Sequence, residues 1–224
     1  EALAEKIASP TAPDSEKEGS DLALVGKSSP QPVENFRIRK NFNETAFFYP
    51  ALVTDSTGSL LLSFTVPESL TRWKLSGLAH TKNLEYGLID KEVITQKDLM
   101  VFPNVPRFVR QGDTVVFSTK IVNLSDQDLA GEAVLELTNV LTGQKMDSII
   151  QSLTGTLIQN NRESGAGNRH ITLSKNQSIQ VAWTLAIPVG ADLSLLQYRI
   201  SARTGSFSDG EERAIPVLTN RMLV

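Results

Sequence analysis

From Ala46 onward, apolar and polar positions alternate along this chain with a period of two. In SLLLSFTV, Leu60, Leu62, Phe64 and Val66 share one face, while Ser59, Ser63 and Thr65 lie on the other; Leu61 breaks the pattern. Such alternation predicts a half-buried strand. DSTG, from Asp55 to Gly58, joins this strand to AFFYPALVT as a hairpin turn, with Gly58 free to take positive φ. Pro67 cannot donate to a ladder, so the strand ends near it and turns a corner through Leu70. In TRWKLSGLAHT, Trp73, Leu75, Gly77 and Ala79 face one way, and Arg72, Lys74, Ser76 and His80 the other. Trp73 is therefore expected in a core and His80 on a polar face. GLIDKEVITQKDLMVF follows as a long strand-like stretch.

A second set of strands begins near Asn104. VPRFVRQGDTVVFSTKIVNLS reads as a short strand, a turn at Gly112-Asp113 and a longer strand. GEAVLELTNVLTG alternates and closes on a glycine. LIQNNRESGAGNR, Leu157 to Arg169, reads as a long polar loop. SIQVAWTLAIP places Ile179, Val181, Trp183, Leu185 and Ile187 on one face; LQYRISART and GEERAIPVLT complete the set. About seven strands with turn signals between them predict a β-sandwich of the immunoglobulin or fibronectin kind. Each unit then has one tryptophan, and both are expected to be buried.

Residues 1–35 stand apart. SPTAPDSEKEGS and GKSSPQP offer little to bury and read as a linker or accessible strip. EALAEKIA hints at a turn or two of helix. Lys6, Lys17, Lys27, Arg37, Arg39 and Lys40 are the expected protease-susceptible positions, RIRK being a charged hinge. The chain opens on Glu1 with no signal peptide visible, and reads as a part of something longer.

Composition narrows the function. The 224 residues carry a net charge of -3, which favours neither nucleic acid nor an anionic membrane. No apolar run approaches the ~20 residues of a membrane helix. There is no cysteine, so disulfides, thiolate metal sites and cysteine nucleophiles are absent. Two histidines, His80 and His170, make no converging metal set. No Gly-x-Ser-x-Gly elbow exists. Glu211 and Glu212 are adjacent and point to opposite faces, while Glu132 and Glu136 share a solvated face. SGAGNR lacks the Lys-Ser/Thr ending of a phosphate loop. Asn43, Asn123 and Asn176 begin glycosylation sequons. The expectation is a chain that is not an enzyme, with no cofactor and no metal.

Three stretches resemble the α2-macroglobulin family, with wording nearest its large bacterial members. NFNETAFFYPAL is similar to the segment after the family's bait region, through Phe42, Glu44, Thr45 and the aromatics Phe47, Phe48 and Tyr49; Asn43 replaces a common proline. FTVPESLTRWKLSGLA resembles a second signature through Val66, Pro67, Glu68, Ser69, Leu70, Thr71 and Trp73. VPRFVRQGD resembles the opening of the next domain through Pro106, Val109, Arg110, Gly112 and Asp113. Together they cover roughly residues 36 to 125.

The resemblance implies an all-β chain of two consecutive fibronectin-like macroglobulin domains, the first incomplete. Residues 1–35 would be a bait-region-like tail, 36–103 the second half of a split domain, 104–219 a complete sandwich, and 220–224 the start of the next linker. It implies a scaffold part of an endopeptidase inhibitor that traps proteases after bait cleavage. Its partners would be proteases, through the full-length protein, and neighbouring domains. Its location would be the cell envelope, periplasmic or extracellular, with a lipid anchor on the full-length protein one option. The family's cysteine thioester cannot lie in this chain. Two other readings stay open: a β-sandwich binding or adhesion module of a bacterial cell-surface protein, and a non-catalytic domain of an enzyme.

Overall fold

The computed structural model describes residues 3–7, 37–151, 166–190 and 192–219, the first stretch as backbone only. Lys17, Lys27 and most of the loop starting at Leu157 lie outside the described residues. The described chain is all-β, relieved by one 3-10 turn at Asp147–Ile149. It divides into two compact units: residues 1–27 with 41–95, and residues 28–40 with 96–224.

The first unit contains two antiparallel pairs. β1 (Leu3–Ile7) pairs with β2 (Leu60–Phe64), Leu3 opposite Phe64. The helix hinted at by EALAEKIA is thus a strand. So short a segment has little helical stability of its own, and a ladder partner outweighs it. Leu60, Leu62 and Phe64 are half-buried on one face as the alternation predicts. AFFYPALVT, expected as the partner of that strand, carries no ladder. Phe47 instead stacks on Tyr49 at 5.2 Å and packs on Phe64 at 4.4 Å. The turn itself forms, with Gly58 at φ 76 and the Asp55 carboxylate accepting from Thr57 and Ser59.

β3 (Arg72–His80) and β4 (Tyr86–Ile94) form a hairpin. Its polar face carries two diagonal ion pairs, Arg72–Glu92 at 3.2 Å and Lys74–Asp90 at 3.0 Å, since Arg72 lies opposite Ile94 and Lys74 opposite Glu92. Both are exposed and contribute little stability. Towards the tip this face turns apolar, with exposed Leu78 opposite Leu88, and His80 opposite exposed Tyr86. Trp73 is half-buried, which corrects the expectation of a buried core residue. Two two-stranded pairs cannot enclose an indole. Its Nε1 donates to Thr95 Oγ1 at 3.2 Å, and Thr95 Oγ1 donates to Ser69 O at 2.6 Å, closing the corner after Pro67.

The second unit is a two-sheet sandwich. Its strands are β5 (Leu99–Asn104), β6 (Val109–Arg110), β7 (Thr114–Asn123), β8 (Leu129–Asn139), β9 (Ile150–Gln151), β10 (Asn168–Leu173), β11 (Ser178–Ala186), β12 (Leu195–Thr204) and β13 (Ser208–Leu218). One sheet has the order β10-β8-β12-β13-β6, the other β5-β7-β11-β9. Inward residues of both sheets form one cluster, among them Phe117, Ile121, Leu135, Leu137, Val181, Trp183, Leu185, Leu196 and Ile200. Trp183 lies opposite Phe117, is 0% exposed, and donates from Nε1 to Gly167 O at 2.9 Å. Gly167 packs so closely that a Cβ there would collide with Leu135 O. Gly112 takes φ 86 at the expected turn, where its N–H donates to Ile187 O at 2.9 Å.

The contact boundary between the units falls between Thr95 and Gln96. Residues 99–103 of β5, expected inside the first unit, belong to the second because the ladder partner of this strand is β7. The long strand read into GLIDKEVITQKDLMVF therefore breaks between Ile94 and Leu99.

Candidate functional site: an arginine-anchored strand

Residues 37–40 dock on the edge of β13. Arg39 forms a parallel bridge with Glu211; its N–H donates to Gly210 O at 2.9 Å, and Glu212 N–H donates to Arg39 O at 3.1 Å. Ile38 covers Gly210, where a Cβ would meet the Ile38 Cδ1 at 2.7 Å. The Arg39 side chain, in contrast to the expected exposed cleavage point, is only 4% exposed. An arginine is stable at such depth only when paired and hydrogen-bonded. It is both. Its Nε and Nη2 donate to the two oxygens of Asp209 at 3.0 Å each, its Nη1 lies 3.6 Å from Glu211 Oε2, and Nη2 donates to Val101 O at 2.7 Å.

Asp209 is 0% exposed and collects more donors. Val101 N–H donates to its Oδ2 at 2.8 Å, and Lys97 Nζ donates to its Oδ1 at 2.8 Å. Val101 lies on β5, at the edge of the facing sheet. Its outward N–H and C=O are thus both occupied, one by Asp209 and one by Arg39. An ion pair stands where a further strand would otherwise bind, which blunts an exposed edge.

The neighbours split by face. Glu211 points inward with Asp209 and pairs with Arg213 at 2.7 Å. Burial holds its carboxyl above the usual glutamate value; Arg213 and Arg39 pull it down and Asp209 pushes it up. Glu212 points outward, to Lys40 at 2.7 Å and Arg199 at 2.7 Å. Burial would raise it, but Lys40 and Arg199 together hold it below the usual value. Tyr198, packed edge-on against Phe117, is pushed up to about 12 by burial and by the Glu211 charge, against the opposing pull of Arg213.

The other singled-out residues fall as follows. Arg37 and Lys40 are exposed, and Lys6 lies on β1. Glu68 holds the incoming chain: its N–H donates to Asn41 O at 2.8 Å, and its carboxylate accepts from Asn41 N–H at 3.0 Å. Pro67 is buried, Phe42 half-buried, and Glu44, Thr45 and Pro106 exposed. Arg110 pairs through β6 with Leu218, and its N–H donates to Asp113 Oδ2 at 3.1 Å. Asn123 is buried, so its sequon is closed in the folded chain. Its amide donates to Gln127 O and Ser174 O, and its Oδ1 accepts from Ser125. Arg169, expected at the end of a polar loop, lies on β10 and is 1% exposed. His170 meets Glu132 at 3.7 Å on the surface. Among the described residues no cluster of His, Asp and Glu is built to hold a metal. A depression of about 260 Å³ lies beside Glu136, Lys145, Asp147 and Arg199.

Sequence reasoning missed Asp209, Lys97 and Val101 as partners of Arg39. A carboxylate 170 residues from its arginine leaves no local signal.

Residues 45–135 match the model of the Alpha-2-macroglobulin family. Over this stretch the chain is similar to that family. The stretch runs from the first unit into β8 of the second. An alpha-2-macroglobulin homolog of Nostoc sp. is 32% identical over 89 residues, 40% of this chain and 5% of that protein. The alpha-2-macroglobulin of Thermotoga maritima is 22% identical over 161 residues, 72% of this chain and 9% of that one. The chain thus spans less than a tenth of the curated relatives' length. Among solved structures, trypsin-activated alpha-2-macroglobulin from Escherichia coli superposes with a TM-score of 0.56 at 13% identity, over 75% of this chain and 10% of that one. Escherichia coli alpha-2-macroglobulin activated by porcine elastase gives 0.54 at 12%, over 90% and 16%. At these identities the structures speak for the macroglobulin fold alone. Within the described residues no helix is long and apolar enough to cross a membrane.

Proposed function

We propose that this chain is a non-catalytic scaffold part of a larger macroglobulin protein that traps endopeptidases after cleavage of a bait segment. The observation that carries this is the family segment at 45–135, preceded by a stretch rich in Pro, Ser, Lys and Glu. Residues 1–35 would hold the cleavable strip, with β1 pairing back to β2 from its far side. Residues 36–103 would close the split domain and 104–219 form the next one. Its partners are proteases, met by the whole protein, and adjoining domains of the same parent, which the exposed Leu78, Tyr86 and Leu88 face of the β3–β4 hairpin suits. The cell envelope is the location that goes with this role.

The chain by itself neither hydrolyses nor inhibits. A trap shields large substrates and leaves small ones accessible, so both are assayed. The chain is incubated with trypsin-, chymotrypsin- and elastase-like proteases, and cleavage of casein and of a small peptide amide is followed. Both rates stay unchanged on this reading. Loss toward casein alone would show unaided trapping and overturn the scaffold role; loss toward the peptide amide would reveal a direct active-site inhibitor.

One observation favours a second reading, a surface binding module. Phe48 is 80% and Tyr49 48% exposed beside stacked Phe47, an aromatic strip of the sort that binds sugar rings. Saturable glycan binding that is lost in Phe48→Ala would support it.

A further inference from the structure

RIRK places three targets of a trypsin-like protease within four residues, Arg37, Arg39 and Lys40. We propose that docking on β13 closes all three: residues 37–40 are the downstream stop of proteolysis, so a protease that cuts the chain upstream leaves this strand whole and anchored. The stop bounds the cleavable strip of the reading above, and it stands whether or not the parent traps proteases.

An endopeptidase takes its substrate as an extended strand, through main-chain hydrogen bonds on both sides of the bond it cuts and a pocket for the side chain before it. Arg39 offers neither. Its side chain, 4% exposed, is held by both oxygens of Asp209, by Glu211 and by Val101 O. Its N–H donates to Gly210 O and its carbonyl accepts from Glu212 N–H, so both main-chain groups are taken by β13. Cleavage after Arg37 needs Arg39 as well, two residues beyond the cut, and Ile38, which packs over Gly210. Cleavage after Lys40 needs Arg39 on one side and Asn41 on the other. Asn41 N–H donates to the Glu68 carboxylate, and its carbonyl accepts from Glu68 N–H. Lys40 Nζ itself pairs with Glu212 at 2.7 Å, and Arg37, Arg39 and Lys40 all have further interactions. The three bonds thus share one requirement, release of Arg39 from β13. Release would take two donors from Asp209, which is 0% exposed, and leave it with Lys97 Nζ and the Val101 N–H. Unpairing a buried arginine from its carboxylate is costly, so the open state is rare, and cleavage follows its population.

Limited trypsin digestion of the full chain, with fragments read by intact mass and N-terminal sequencing, tests the stop. No fragment should begin at Ile38, Lys40 or Asn41 while Lys120, on β7 of the sandwich, stays uncut. A synthetic peptide of residues 33–44 should be cut at these same bonds under the same conditions. Early fragments that begin at any of the three positions in the native chain would overturn the stop. An uncut peptide would overturn docking as its cause, because the local sequence would then resist by itself. In Arg39→Met, which keeps the stem and removes the charge, cleavage after Arg37 and Lys40 should become about tenfold faster or more, with Lys120 still protected. Unchanged cleavage after both would mean that the Asp209 pair does not hold the strand closed. If the substitution opens Lys120 equally, the comparison of native chain and peptide decides. Trapping is read separately by the casein assay, so failure of the stop and failure of the trap are distinguishable.

Discussion

Trp73 and Trp183 occupy like positions in the sequence, each on the apolar face of an alternating strand. Period alone says which face a residue joins, not whether a second layer covers that face. Trp183 has one, with Phe117 opposite and Gly167 capping its indole N–H. Trp73 has only a hydroxyl partner at Thr95. Trp183→Ala should therefore cost about 3–5 kcal/mol, and Trp73→Ala roughly 1–2 kcal/mol for its partial burial, both measured by urea denaturation. A similar loss for both would place Trp73 in a core. Leu84 differs in kind. It sits at φ 66 on the hairpin tip, 84% exposed, where a branched side chain crowds its own backbone and packs on nothing. Leu84→Gly should raise stability by about 1 kcal/mol; a loss of that size would mean that the leucine makes a contact that stabilises the hairpin. Nothing in the sequence marks this position, because strain of this sort is set by the length of the loop that the flanking strands impose.

At the scale of elements, alternation found the strands whose ladder partners are strong and misjudged those that are not. β7, β8, β11, β12 and β13 fall where their periods predict. EALAEKIA and AFFYPALVT were misread because a partner, or the lack of one, decides their state. RIRK read as a hinge because its arginine's anchor lies on β13, far along the chain. That anchoring gives β13 a testable electrostatic asymmetry. Glu211 is held above the ordinary 4.5 by burial, so the folded chain binds its proton more tightly than the unfolded chain does. Its ionisation therefore costs stability as pH rises through the folded value, and lowering the pH recovers it. Glu212 is held below 4.5 by Lys40 and Arg199, so its contribution is present above that value and is lost as pH falls through the folded one. Denaturation of Glu211→Gln and Glu212→Gln across pH 7 to 3.5 should show opposite trends. As pH drops, the native chain should gain on the first variant and lose ground to the second. Parallel trends would mean that the two neighbours do not face different surroundings.

Over the whole molecule, the described apolar side chains that are buried, from Leu99 to Val217, belong to the second unit, Pro67 in the first unit excepted. The first unit has exposed Leu61, Leu78, Tyr86, Leu88 and Val93 and two paired hairpin-like ladders. Two-stranded ladders are marginal in water without a third strand or a packed layer. Burial supplies most of the driving force for cooperativity, so the two units should not unfold as one. Their tryptophans report separately. In Trp73→Phe, the remaining Trp183 should show one sharp transition in urea. In Trp183→Phe, the remaining Trp73 should respond at a clearly lower concentration, even though that substitution itself weakens the second unit and narrows the gap. Residual protection of β7 and β11 amides after the Trp73 transition is complete would confirm that the sandwich outlasts it. Coincident midpoints for both reporters, with matching loss of far-ultraviolet ellipticity, would instead show the first unit drawing its stability from the second. The first unit would then be a dependent extension of the second, not a body that folds separately.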